Sequence, residues 1–370
     1  MQISLVITVL NEIKTIRCLL AGIEKFSEFP SEIIFVDGGS EDGTYELLHD
    51  WQQRVQQLAS FKNTKLRVLQ KKGNISVGRN EGIQKTAHDW IAITDAGCIP
   101  KPDWIFQLAA PVRTRFQPSA QQADQQADQK IDQKTDQQAD QKADQKTDQK
   151  IDQKADQMTL QKFADTLPIV AGFYSGNPKS PFEHAVVPFV LVPPEKVDPS
   201  TFLPATRSML LHKKTWRKLG KFREDLRVSE DYFFAQQAVA QSIPIIFAPK
   251  AIVLWRPRSN IFSFCKMVYL HAYYDQLAGI RRPKVTFIFA RYAVAILLVV
   301  AAYFLTTQTT TILVICTGVV LYSIWAILKH RQHLPRQGVY YLPVLQWTSD
   351  VAVMLGTSIS LHQSSKRLVK

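Results

Sequence analysis

Residues 32–44 read EIIFVDGGSEDGT. The run Ile33, Ile34, Phe35, Val36 is apolar and β-favouring without alternation, and it stops abruptly at an acid and two glycines. An unbroken apolar run of this length fits a strand buried on both faces, as in a parallel sheet sandwiched between helices. The stretches SLVITVLNE at 4–12 and WIAITD at 90–95 repeat the pattern, each ending in a polar residue. Helical spacing of apolar residues follows at 12–26, 44–58 and 77–87, with a further short strand at 66–69. Repeated βα units predict an α/β, doubly wound, mostly parallel sheet with right-handed crossovers. Ligands of such sheets sit at the carboxyl ends of the strands, and Asn11, Asp37 and Asp95 all fall there.

The 370-residue chain is unevenly composed. Its net charge is +13, although the tract 121–157, with nine Asp and six Lys, contributes negative charge. The basic excess therefore belongs to the remainder. Such an excess suits anionic membrane surfaces, phosphorylated small molecules or nucleic acid. Nucleic acid is disfavoured, because there is no basic helix, zinc spacing or RNP-like aromatic pattern. Cys18, Cys98, Cys265 and Cys316 form no CxxC pair, which argues against a zinc site and against a disulfide framework. The N-terminus lacks a basic region and a cleavage site, so it reads as a strand and not as a signal peptide.

The tract 121–157 repeats a tetrapeptide of the type Ala/Thr/Ile-Asp-Gln-Lys/Gln. It has too few apolar residues to offset chain entropy, and its period stacks Asp over Asp at i,i+4. A disordered or loosely helical insertion in a surface loop is expected. Beyond it, strands are predicted at 168–174, 207–212, 243–248 and 251–255, with helices at 182–192, 213–219 and 229–241. Ser229 is a plausible N-cap by residue type, and Glu230 and Asp231 would occupy the first turn, where acids favour the helix dipole.

Two segments, 286–305 and 312–328, are apolar enough to cross a membrane, for which about 20 residues are typical and roughly 17 the minimum. Uncharged TTQTTT at 306–311 joins them. Arg281, Arg282 and Lys284 precede the pair and Lys329, Arg331 and Arg336 follow it. Positive charge on both outer flanks predicts that both lie on the cytoplasmic side, with the globular part. The stretch 341–361, interrupted by Asp350, is consistent with a span, a re-entrant segment or an interfacial helix.

The series SLVITVLNE, EIIFVDGGSEDGT, GRNEGI (78–83), WIAITDAGCIPKPDWI (90–105) and VSEDYFFA (228–235) resembles the family-two glycosyltransferases of GT-A fold. The resemblance covers almost all of 2–258 apart from the repeats. It implies a nucleotide-sugar donor held by Thr8, Asn11, Glu12, Asp37, Arg79, Asn80 and Asp95. Asp37 would face the base, as a carboxylate suits an imide or amine N–H; by itself the same residue would also close an Asx turn. Arg79 would serve the diphosphate, or pair with Glu81 or Asp89 on the surface. In the family an Asp-x-Asp motif holds Mg2+ or Mn2+. Here Gly97 replaces the second acid, leaving Asp95 as the metal candidate and Lys71, Lys72 and Arg79 as alternative neutralising groups.

Glu230 and Asp231 resemble the family's acidic pair, with Asp231 as general base; capping of a helix start is the plainer reading of the same two residues. Trp255, Arg256 and Arg258 would grip an acceptor phosphate or headgroup, or anchor the chain at the membrane interface. His271, Tyr274 and Asp275 are weaker candidates. No Gln-x-x-Arg-Trp pattern follows Asp231, which favours non-processive transfer. The expected organisation is a nucleotide-sugar-binding half at 1–118, the insertion at 119–160, an acceptor and catalytic-base half at 161–280, and a membrane region at 281–370. The expected function is inverting transfer from a nucleotide-sugar to a membrane-associated lipid or polyprenol-like acceptor. A nucleotidyltransferase and an inactive membrane-bound nucleotide-sugar-binding protein are the alternatives.

Overall fold

The computed structural model describes residues 1–116, 167–193, 196–331 and 336–368, so the repeat tract lies outside the described residues. Three buried strands carry the N-terminal part: β1 (Ile3–Val9), β2 (Glu32–Asp37) and β4 (Trp90–Asp95). With β3 (Lys65–Gln70) they form the parallel set β3-β2-β1-β4. The sheet continues through β7 (Met209–His212), β6 (Ile169–Gly176), β8 (Ile245–Trp255) and β5 (Cys98–Pro100), eight strands in all. β7 runs antiparallel to both β4 and β6, so the sheet is mixed beyond its parallel half.

Helices α1 (Ile16–Ile23), α2 (Thr44–Val55), α3 (Ile75–Lys85) and α4 (Trp104–Phe116) follow the strands. The glycines of GRNEGI have a packing reason. A Cβ at Gly82 would stand 2.6 Å from Val6, and one at Gly78 would stand 3.0 Å from Thr8. Bare backbone at this i,i+4 pair lets α3 lie directly on β1, because contacts below 3 Å are repulsive. Val6, Ile83, Ile91, Ile93, Met209, Trp216, Phe222 and Phe234 close a continuous core on that side of the sheet.

The later helices are α5 (Pro181–Val190), α6 (Lys213–Lys218), α7 (Glu230–Ala240), α8 (Ile261–Leu277), α9 (Pro283–Leu305), α10 (Gln308–His330) and α11 (Leu342–Leu368). Two compact units result. The first holds residues 1–173, 202–222 and 234–253; the second holds 174–201, 223–233 and 254–370.

Three sequence expectations change. The strands at 243–248 and 251–255 are one strand, β8, running through Pro249 and Lys250. Proline's fixed φ is compatible with extended backbone, and both residues are exposed. The third helix begins earlier than expected, because Asn74 caps it by accepting from the backbone N–H groups of Ser76 and Val77. Helix α8 escaped the periodicity reading; its start is marked by Asn260, which accepts from the N–H of Ser263 at 2.9 Å.

α9 and α10 are each 23 residues long and apolar enough to cross a membrane. Within the second unit, Ala185, Val186, Phe264, Leu342 and Leu345 form a core shared by α5, α8 and α11.

Candidate active site

In the first unit the register of β1 with its neighbours decides the geometry. Thr8 stands opposite Asp95, and Val9 stands opposite Asp37. Three adjacent parallel strands therefore end together, with two acids and a hydroxyl at their carboxyl edge. The connecting loops are stitched to one another. The Asn11 N–H donates to Ser40 Oγ at 2.8 Å, and Asn11 Oδ1 accepts from the Glu41 N–H at 2.9 Å. Asn11 has φ of +54°, a left-handed conformation that asparagine tolerates better than most residues. The Glu12 N–H donates to Thr44 Oγ1 at 2.9 Å, and the Ile13 N–H to Asp42 Oδ2 at 3.0 Å. Burial pushes the Asp42 carboxyl up, but hydrogen bonds from Thr44 and Ile13 outweigh it and hold the group below its ordinary value.

Asp37 is fully buried. Its Oδ1 accepts from the N–H groups of Gly39 at 2.9 Å and Ser40 at 2.8 Å, which is the Asx-turn geometry. Its Oδ2 is buried and has no hydrogen-bond partner among the described residues, and neither does Thr8 Oγ1. A buried carboxylate oxygen left unmatched is costly, so such an atom in a folded protein calls for an explanation. The segment 70–73 lies over this loop: the Lys71 N–H donates to the Asp37 carbonyl at 2.8 Å, and the Lys72 side chain covers Gly39.

Arg79 and Asn80 face inward. Arg79 is 1% exposed; its Nη2 donates to Asp95 Oδ1 at 2.8 Å, and its guanidinium lies 5.4 Å from the Phe222 ring centroid. Asp95 is 26% exposed, so the pair points its acid outward and keeps its base inside. Asn80 Oδ1 accepts from Trp216 Nε1 and the Phe222 N–H, while its Nδ2 donates to the Phe222 carbonyl. Its amide thus ties α3 to the loop at 222. Beside Asp95, burial pushes the Cys98 thiol up to about 12, which leaves it unreactive.

A two-acid metal motif is not formed by these residues. Asp95 has one oxygen committed to Arg79, and a Cβ at Gly97 would meet nothing within 4 Å. No group of three or more His, Cys, Asp or Glu side chains among the described residues is arranged to hold a metal ion. Asp95 alone remains as a carboxylate that a divalent cation could use there.

The acidic pair belongs to the second unit. Glu230 is buried, while Asp231 is partly exposed and its Oδ1 accepts from the Tyr232 N–H at 2.7 Å. Ser229 does not adopt the extended backbone of an N-cap: its φ is +65° and its hydroxyl lies 3.2 Å from His271 Nδ1 on α8. Left-handed backbone at a non-glycine residue is unfavourable and recurs at functional loops. Arg282 is a residue that the sequence reading used only as a flanking charge. It pairs with Asp275 and lies 4.3 Å over the Tyr232 ring. Burial pulls the Arg282 pKa down, and the Asp275 carboxylate more than compensates. Fifty residues separate Arg282 from the acids, so no local spacing announces it. Trp255 is buried, Arg256 is half-exposed and reaches Glu183 at 3.4 Å, and Arg258 is exposed.

Residues 4–184 match the model of "Glycosyl transferase family 2". Those residues are a family 2 glycosyl transferase domain. The match stops before Glu230 and Asp231. The curated relative Glycosyltransferase AglE of Haloferax volcanii is 25% identical over 105 residues, 28% of this chain. The aligned part spans only 33% of that relative's length. The mannosyltransferase PcManGT from Pyrobaculum calidifontis, solved in complex with GDP-Man and Mn2+, covers 97% of this chain and 87% of its own. It superposes with a TM-score of 0.57 at 14% identity, a likeness of fold. Staphylococcus aureus TarS 1–349 in complex with UDP-GlcNAc covers 98% and 92% at a TM-score of 0.45 and 13% identity. Thr8, Asn11, Glu12, Asp37, Arg79, Asn80 and Asp95 lie within the matched residues 4–184.

Proposed function

We propose that the protein transfers a sugar, with inversion, from a nucleoside diphosphate sugar to a hydroxyl of a lipid-linked, membrane-associated acceptor. The observation that carries the donor half is the buried, unpartnered Oδ2 of Asp37, whose other oxygen is fixed by two backbone N–H groups. A carboxylate oxygen so held is an acceptor waiting for an N–H donor, and the edge of a nucleobase supplies one. Thr8 and Asp95 lie at the same strand edge, with Asp95 oriented by Arg79 toward the sugar and diphosphate. Asn11, Glu12 and Asn80 then act by holding the loops and α3 in place.

Asp231 is the general base. It takes the proton of the acceptor hydroxyl as that oxygen bonds to the anomeric carbon; the bond from that carbon to the diphosphate breaks, and the nucleoside diphosphate leaves. Glu230, buried beside it, sets the start of α7. Trp255, Arg256 and Arg258 serve the acceptor's phosphate or headgroup. α9 and α10 cross the membrane twice, and their basic flanks orient the transferase domain toward the cytoplasm. A divalent cation, where bound, would be held by Asp95 and would offset charge on the departing diphosphate.

The test is a thermal-shift series with UDP and GDP, each with and without Mn2+, on wild type and Asp37→Asn. One nucleotide should stabilise the wild type, since a ligand stabilises the fold according to its affinity. Asp37→Asn should weaken that binding by about 1–3 kcal/mol. Absence of any response from wild type to both nucleotides would sink the donor assignment.

A further inference from the structure

Helix α11 buries polar groups and exposes an aliphatic row. Its buried residues include Gln346, Asp350, Thr357 and Ser360 beside Leu342, Leu345 and Ala352, while Val344, Val351, Leu355 and Ile359 are exposed. Those four recur at spacings of seven, four and four, which places them along one side of the helix. Two of these inward groups, Asp350 and Gln346, are hydrogen-bonded. Asp350 accepts from Arg291 Nη2 at 2.8 Å, from Tyr292 at 3.2 Å, from the Tyr322 hydroxyl, and from Gln346 Nε2 at 3.0 Å. Gly356 packs backbone to backbone with α8, where a Cβ would stand 2.5 Å from the Tyr269 carbonyl oxygen. A helix that shows a continuous aliphatic row is not built to face water.

We propose that α11 lies in the membrane interface with Val344, Val351, Leu355 and Ile359 against the acyl chains, forming a third lipid-contacting element beside α9 and α10. Three observations favour the lipid as occupant. First, the stripe belongs to a helix joined through Asp350 to Arg291 of α9 and Tyr322 of α10, so it continues the apolar surface of the two spanning helices. Second, the junction has a consistent depth. Arg291 is eight residues from the start of α9 and Tyr322 eight from the end of α10, each about 12 Å along its helix. Beyond Arg291, α9 continues for about 21 Å. An interfacial helix seated some 5–10 Å into the headgroup boundary accounts for most of the rest of a roughly 30 Å core.

Third, α11 lies along α8, which cannot itself be in hydrocarbon: it exposes Lys266, and its His271 meets Ser229, the residue before the acidic pair. A helix held against α8 lies along the surface of the bilayer, not across it. One consequence deepens the acceptor assignment and rests on it: the acidic pair is then separated from lipid by α8 and α11 alone. A hydroxyl carried just above the headgroups would be within its reach.

The test is fluorescence depth measurement on the full chain in vesicles of phosphatidylcholine and phosphatidylglycerol with brominated acyl chains. The background carries Cys18→Ser, Cys265→Ser and Cys316→Ser, with Cys98 left in place because it is buried. An environment-sensitive thiol label is placed at Leu355→Cys or Val351→Cys, with Val320→Cys in α10 and the exposed Gln53→Cys as references. The expected result is at least about twofold loss of emission at 355, 351 and 320, with none at 53. Quenching at 320 but not at 355 or 351, with iodide quenching those two as it does 53, overturns the proposal and leaves the membrane reading of α9 and α10 standing. Quenching at none of these positions overturns both.

Discussion

Two arginine–aspartate pairs in this molecule have the same chemistry and opposite designs. In the first unit Arg79 is 1% exposed and Asp95 26%. In the second, Asp350 is 1% exposed and Arg291 35%. At the sheet edge the base is hidden and the acid is offered outward, so the guanidinium supports the carboxylate that we propose faces the donor. Between the helices the acid is hidden and fully hydrogen-bonded, while the arginine lies over Tyr322 at 4.8 Å and Trp325 at 5.2 Å. That second pair holds helices together, and long arginine stems let the charge reach toward polar surroundings. Which member of an ion pair is buried thus separates a site from a strut better than the presence of the pair.

Four substitutions press on that distinction, beginning with the largest effect. Asp231→Asn removes the proposed base and should lower the rate of sugar transfer about 10²–10⁴-fold, while nucleotide binding by the first unit stays intact. Retention of transfer in that variant would reassign the base. Asp95→Asn leaves the buried Arg79 without its carboxylate and should cost about 3 kcal/mol of stability, the low end for breaking a buried pair from one side; chemical denaturation reads it. Asp350→Asn should cost less, about 1 kcal/mol in detergent or bilayer, because polar contacts between membrane helices are worth little net. Its nucleotide binding should match wild type, whereas that of Asp95→Asn should not. If both variants behaved alike in nucleotide binding, the contrast between site and strut would collapse.

The smallest effect is a pH dependence in the first unit. Burial lowers the His212 pKa below its ordinary 6.5, against the pull of Asp89. The unfolded chain then binds the proton more readily, so this contribution to stability is present above about pH 6.5 and is lost as pH falls through the histidine range. The neutral ring also caps α6, its Nδ1 accepting from the Lys214 N–H at 3.1 Å, and protonation would abolish that acceptor. Melting temperatures between pH 7.5 and 5.5 should fall for wild type and fall less for His212→Asn, which keeps a capping oxygen without titrating.

Much of the first unit was legible in the chain, because unbroken apolar runs ending in Asp or Asn leave few alternatives to parallel strands with polar ends. The register that sets Thr8 opposite Asp95 and Val9 opposite Asp37 came only with the structure. Less could be read from Arg79-Asn80. The family resemblance implied a phosphate site for the arginine, yet its side chain faces the core, because the neighbouring glycines bring α3 down onto β1. Helix α8 left little periodic trace because it packs against neighbours on more than one side. A Cβ at Gly97 would meet nothing within 4 Å, so there is room for a side chain at that position.

What the sequence determined by itself is the material of the proposed donor site: which strands are buried, where they stop, and that acids stand at their ends. Period and punctuation are local properties, so local reading finds them. Tertiary structure alone decided which oxygen of Asp37 stays unmatched, which member of each arginine–aspartate pair is hidden, and that Ser229, His271, Arg282 and Asp275 gather around the acidic pair. Those outcomes depend on contacts between residues tens of positions apart, and the free energy of burying a charge depends on everything that surrounds it.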